Sequence, residues 1–179
     1  GRFGGFSGGR RGQHNGSGRG TNMSERSVTH ATFVIERTYE ASPQRVFQAF
    51  ADPTIKARWF AGPPDWQSLE WSMDFREGFG DIDRAQIPDG PVTSVASRYF
   101  DIVPDERIVF AYEMHLDDAR ISCSLTTIEL RPEGAGTRLV FTEQGAFLDG
   151  YDDAGGREHG TREILDQLGA ELARQAAEA

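Results

Sequence analysis

Ile164-Leu165-Asp166-Gln167-Leu168-Gly169-Ala170-Glu171-Leu172 is the stretch on which the fold turns. Ile164, Leu165, Leu168 and Leu172 recur at helical spacing, and Ala170, Ala173, Ala176 and Ala177 add helix propensity. Asp152 or Asp153 stands where such a helix needs an N-cap. One long helix with a single apolar stripe cannot bury that stripe alone, so it must lie across another layer.

The residues before it supply that layer. Thr137 to Phe147, Ala119 to Arg131, Arg107 to Leu116, Val92 to Val103, Gly80 to Ile87 and Trp66 to Phe75 each read as a strand. Turn signals separate them: Glu133-Gly134-Ala135-Gly136, Asp117-Asp118, Pro104-Asp105, Pro88-Asp89-Gly90-Pro91 and Glu77-Gly78. Thr29 to Glu40 is a further strand. Behind it Ser42-Pro43 opens a helix that places Val46, Phe47, Ala49 and Phe50 on one side. Asp52-Pro53 ends that helix, and Ile55 to Phe60 forms a second short one. The expected architecture is α+β: one strand, two short helices, a meander, then a long helix. The curved antiparallel sheet of six to seven strands wraps that helix and leaves a pocket beneath it.

Composition limits the function classes. Residues 1–22 hold nine glycines, four arginines and no acid, a makeup that cannot bury enough surface to order itself. They read as a disordered leader appended to a native start at Met23, with residues 23–179 as one domain. Setting the four leader arginines aside leaves 15 basic against 28 acidic residues, a balance of −13. Such a domain repels phosphate backbones and anionic bilayers, which argues against nucleic-acid and membrane partners. There is no apolar run of membrane-spanning length and no secretory signal after Met23. With Cys123 as the single cysteine, a cytoplasmic location is expected.

The order and phrasing of the chain resemble the START/polyketide-cyclase superfamily with its helix-grip fold, and within it the group related to activators of the heat-shock-protein-90 ATPase. The residues that carry the resemblance are Ile35-Glu36-Arg37-Thr38-Tyr39, Ala41-Ser42-Pro43, Val46-Phe47, Asp52-Pro53 and Arg58-Trp59-Phe60. Asp74, Arg76 and Gly78, then Asp105 to Phe110, Gly136-Thr137-Arg138-Leu139 and Ile164 to Leu168 continue it. The resemblance implies a site between sheet and last helix. It implies no single activity, since lipid carriers, receptors, cyclases and co-chaperones share the fold. Two positions depart from the family pattern: Thr161 follows Gly160 where a tryptophan is usual, and Glu143 stands where a histidine is usual.

Glu143 alternates with Leu139 and Phe141 and so faces inward. An acid on an apolar face has a raised pKa and can anchor a ligand or accept a proton. His159, near the start of the last helix, is the candidate partner of Glu143 in general acid–base work. Trp59, Phe60, Trp71, Phe79, Tyr99, Tyr112, Met114 and Phe141 complete the expected lining, a set typical of pockets for small apolar ligands.

Metal sites fail on inventory. His14, His30, His115 and His159 lack the spacing of zinc ligands. Gly155-Gly156 and Gly78-Phe79-Gly80 match no phosphate or dinucleotide loop, and Ser122 and Ser124 sit in no nucleophile elbow. No cofactor is expected. The reading is a binding module for an apolar, aromatic or lipid-like small molecule held between the sheet and the last helix. The alternatives are a cyclase or hydratase using Glu143 and His159, and a chaperone-interaction domain, which the resemblance implies but no surface feature marks.

Overall fold

The computed structural model describes residues 25–179, so the expected leader and Met23 lie outside the described residues. Strand β1 (Val28–Tyr39) is followed by helices α1 (Pro43–Ala51) and α2 (Pro53–Trp59). Strands β2 (Gln67–Met73), β3 (Asp81–Gln86), β4 (Val92–Val103), β5 (Arg107–Leu116), β6 (Ala119–Glu133) and β7 (Gly136–Leu148) precede helix α3 (Ala154–Glu178). The α+β helix-grip expectation holds, with seven strands.

Local chemistry sets most boundaries. The Ser42 hydroxyl accepts from the Arg45 amide at 3.2 Å, with Pro43 at the first helical position. Asp52 closes α1 and caps α2, its carboxylate accepting from the Thr54 and Ile55 amides at 2.8 and 3.2 Å. Of the two candidate caps for α3, Asp153 serves, accepting from the Gly156 amide at 2.7 Å. Asp89, Asp105 and Asp117 take positive φ at the expected hairpin turns, a conformation aspartate tolerates because its side chain bonds locally. Asp117 does so while its carboxylate accepts from the Val92 amide at 2.9 Å.

All strands pair antiparallel in the order β1-β7-β6-β5-β4-β3-β2. β1 and β2 are therefore opposite edges, and the α1–α2 connection between them must cross the open side of the sheet. Register shifts leave one extra residue each in β2 (Leu69), β4 (Phe100) and β6 (Ile121), the kind of insertion that bends strands. The sheet curls, and α3 lies across its concave face against β1, α1 and α2. Ile164, Leu165, Leu168 and Leu172 are buried there with Ile35, Tyr39, Val46 and Leu139. Gly169 lets the helix approach closely: a Cβ there would stand 3.2 Å from the Tyr39 ring. The Tyr39 hydroxyl donates to the Leu165 carbonyl at 2.7 Å.

The far end of α3 is tied to α2 by charge. The Glu171 side chain is 5% exposed and accepts from Arg58 Nε at 2.6 Å and from Arg174 Nη2 at 2.8 Å. The Arg174 bond, opposed by burial and aided by Arg58, holds the Glu171 carboxyl down at about 2. A lowered folded-state pKa gives stability that is present above the unfolded value near 4.5 and is lost as pH falls toward 2. Glu171→Gln is expected to lose about 1–2 kcal/mol at pH 7, the arginines being partly screened by solvent. Urea midpoints should show that deficit shrinking between pH 5 and pH 3. A deficit unchanged over that range would remove the ion pair as its cause.

Candidate functional site

Strand register builds the floor of the concave face in rows. Ile108, Ile128, Phe141 and Ile35 lie side by side across β5, β6, β7 and β1. The next row is Phe110, Thr126, Glu143 and Phe33, and the row beyond it begins Tyr112, Ser124 and Gly145. Tyr99 on β4 adjoins Phe110. α3 supplies a roof of Thr161, Ile164 and Leu165, and α1 and α2 a wall of Phe50, Lys56, Trp59 and Phe60. Eight aromatic side chains line the enclosed space. It is tight: about 30 Å³ is open to the centre of a water-sized molecule, where one buried water needs roughly 10–15 Å³. A larger guest enters only as aromatic side chains move apart.

One buried polar cluster closes the space beneath the start of α3. Tyr112 Oη and Ser124 Oγ donate to Glu143 Oε2 at 2.7 and 2.9 Å. Arg157 Nη1 donates to Tyr112 Oη at 2.8 Å and lies 3.5 Å from Glu143 Oε2. Its Nη2 donates to Ser122 Oγ at 2.8 Å and to Asp152 Oδ2 at 3.0 Å. The Arg157 and Glu143 side chains are 1% and 0% exposed. Burial pushes the Glu143 carboxyl above the usual carboxylate range, and Arg157, Tyr112 and Ser124 pull it back without cancelling that rise. Burial, then the Glu143 charge, pushes the Tyr112 hydroxyl well up, so it stays a neutral donor.

A second cluster stands in the wall. Lys56 Nζ donates to Asp81 Oδ2 at 3.2 Å and to Tyr99 Oη at 3.4 Å, and sits 4.7 Å from the Phe60 ring centre. Tyr99 Oη donates to the same Asp81 oxygen. Burial, then Asp81, raises the Tyr99 hydroxyl far above its ordinary value. Lys56 and Asp81 are 25 residues apart and meet because the curled sheet brings β3 under α2.

Of the residues expected from sequence, Trp59, Phe60, Tyr99, Tyr112 and Phe141 line the space. Glu143 faces inward beneath that lining. Trp71 stands half-buried behind Phe60, ring centres 6.4 Å apart. Met114 is buried against Arg157 Nη2 at 3.4 Å. Phe79 is turned out, 50% exposed with the Arg76 guanidinium 4.0 Å from its ring centre, because the turn at Gly78 breaks the strand alternation. The pairing of His159 with Glu143 does not form: His159 is 69% exposed and its Nε2 lies 3.1 Å from Glu163.

Arg157 takes the place expected of His159. The helical repeat carries the signal: stepping back from Ile164 at 100° per residue, Arg157 lies about 20° from the buried stripe and His159 about 140°. Lys56 and Asp81 were not expected, and no sequence pattern links them. Among the described residues, no three of His, Cys, Asp or Glu converge on a metal-sized point, and no helix is long and apolar enough to cross a membrane.

Fold and site together define a helix-grip protein, in which a C-terminal helix roofs an aromatic chamber on a curled antiparallel sheet. The chain belongs to the family described as Activator of Hsp90 ATPase homolog 1-like protein, which matches residues 40–173. It is similar to a solved structure from Rhizobium leguminosarum at 47% identity, covering 84% of this chain and 99% of that one, with a TM-score of 0.79. A Rhizobium loti protein is 52% identical over 81% of this chain and 99% of its own, with a TM-score of 0.76. A Chromobacterium violaceum protein is 30% identical over 79% and 96%, with a TM-score of 0.64. No curated protein matches the chain.

Proposed function

We propose that this protein binds a small apolar, ring-bearing molecule in the chamber between the concave sheet face and α3. The observation that carries this is the pairing of eight aromatic lining residues with few polar groups, the composition of pockets that hold such ligands. The buried clusters at Lys56 and Glu143 would orient the guest. Ligand binding to the folded state raises stability by about 2.7 kcal/mol at a hundredfold excess over Kd. A panel of substituted benzenes and bicyclic aromatics should therefore contain members that raise the melting temperature in proportion to log concentration. Val95→Phe, which fills the space from β4, should abolish the response. A panel without any shift would end this reading.

An enzymatic reading, of the cyclase or hydratase kind, is favoured by one observation, the raised Glu143 carboxyl beside Tyr112 and Arg157. Glu143 is then the proton-accepting group, with Arg157 rather than His159 beside it. Glu143→Gln would abolish turnover and leave binding in place, while unchanged turnover would remove Glu143 from that role.

A further inference from the structure

The chamber lining itself holds one ion pair. Lys56 on α2, Asp81 at the start of β3 and Tyr99 on β4 all face the space. The Lys56 and Asp81 side chains keep 10% and 11% of their surface open. Their donors and acceptors do not balance. A lysine ammonium carries three N–H donors and no acceptor. One goes to Asp81 Oδ2 at 3.2 Å and one to Tyr99 Oη at 3.4 Å. The Tyr99 hydroxyl donates to the same Asp81 oxygen, which therefore already serves two donors. The other, Oδ1, accepts from the Asp74 amide at 3.3 Å. Among the described residues, the remaining contact of Lys56 Nζ is the Phe60 ring, its centre 4.7 Å away. A ring face is a weaker hydrogen-bond partner than an oxygen. One N–H donor is thus in surplus, on a side chain that lines the chamber.

We infer that Lys56 seats the carbonyl oxygen of the guest, so that the chamber takes an aryl ketone or aldehyde; this rests on the binding reading above. A carbonyl oxygen accepts and does not donate, so it closes the count that the cluster leaves open. A hydroxyl would bring a further donor to a carboxylate oxygen that already has two. The local charges exclude ionic groups. A guest carboxylate would stand beside Asp81, and a guest ammonium would meet the like charge of Lys56. The aromatic lining holds the ring, and the ammonium fixes which end of the guest points toward α2.

The test uses matched pairs in calorimetric titration of the full chain: acetophenone against α-methylstyrene, and 2-acetylnaphthalene against 2-isopropenylnaphthalene. In each pair a methylidene replaces the carbonyl oxygen at nearly the same shape. Lys56→Met keeps the stem and removes the donors. It should lower the ketone-to-hydrocarbon affinity ratio about tenfold, one hydrogen bond's worth. Glu171→Gln lies outside the lining and also lowers stability, and it should leave the ratio within twofold. A ratio unchanged in Lys56→Met, or shifted equally in Glu171→Gln, overturns the seat. Lys56→Met leaves Asp81 without its countercharge and could unfold, so a second readout uses wild type alone. The carbonyl carbon of 13C-labelled acetophenone should resonate downfield of its position in cyclohexane when bound, as a hydrogen-bonded carbonyl does. A bound resonance at the cyclohexane position overturns the seat. Binding of the hydrocarbons alone overturns it while the pocket stands. Binding of no compound in these pairs or in the wider panel fails the pocket reading and the seat together.

Discussion

Arg157→Met is expected to lower stability by about 3–5 kcal/mol, the loss seen when one partner of a buried ion pair is removed. Methionine keeps most of the hydrocarbon stem. It loses the bonds to Tyr112, Ser122 and Asp152 and the charge facing Glu143. The Glu143 carboxylate is then left fully buried with two hydroxyl donors and no countercharge. The melting temperature should fall by about 10 °C in a domain of this size. The deficit should also depend on pH. Glu143 has a raised folded-state pKa, so its contribution is present at low pH, where the carboxyl is protonated, and is lost as pH rises through that pKa. Removing Arg157 raises it further. Urea midpoints should show a larger deficit at pH 8 than at pH 5. Adding Glu143→Gln to Arg157→Met should recover part of the loss, because the orphaned charge goes with it. A pH-independent deficit below about 1 kcal/mol would mean that the cluster is not held together by charge.

Trp59→Ala carries the second large effect, about 3–5 kcal/mol for deleting a buried aromatic side chain. Trp59 is 2% exposed, and its ring meets Phe50 and Phe60 edge-on at 5.0 and 5.4 Å. Its indole Nε1 donates to the Ala49 carbonyl at 2.9 Å, which joins α2 to α1. Because Trp59 is also chamber wall, the truncation opens an apolar void contiguous with the binding space. Such voids stay dry and accept aromatic guests. Millimolar indole should restore part of the lost melting temperature in Trp59→Ala and leave wild type little changed. Full loss without rescue would place Trp59 in the packing between helices and away from the chamber.

The family resemblance and the physical pattern meet in the architecture but separate at the site. Glu143 was legible from strand alternation, since a period of two needs only the strand itself. The hairpins were legible because each turn type is demanded by its own few residues, as at Asp89, Asp105 and Asp117. Arg157 was within reach of the helical repeat that defines the Ile164 stripe, since the same repeat turns His159 away from that stripe. Phe79 lies between the turn at Gly78 and β3, outside any strand, so alternation assigns it no face.

The sequence by itself determined the element order, the turns, the Ser42 cap and the inward face of β7. These follow from interactions spanning a few residues, and they suffice for an α+β sheet gripping a C-terminal helix. The tertiary structure alone decided which polar groups meet. Lys56 joins Asp81 and Tyr99, and Arg157 joins Tyr112, Ser122 and Glu143, across separations of 14 to 45 residues. Those encounters depend on how far the sheet curls and where α3 crosses it. Bulges in three strands and the packing of the whole core set that curvature, and no local pattern records it.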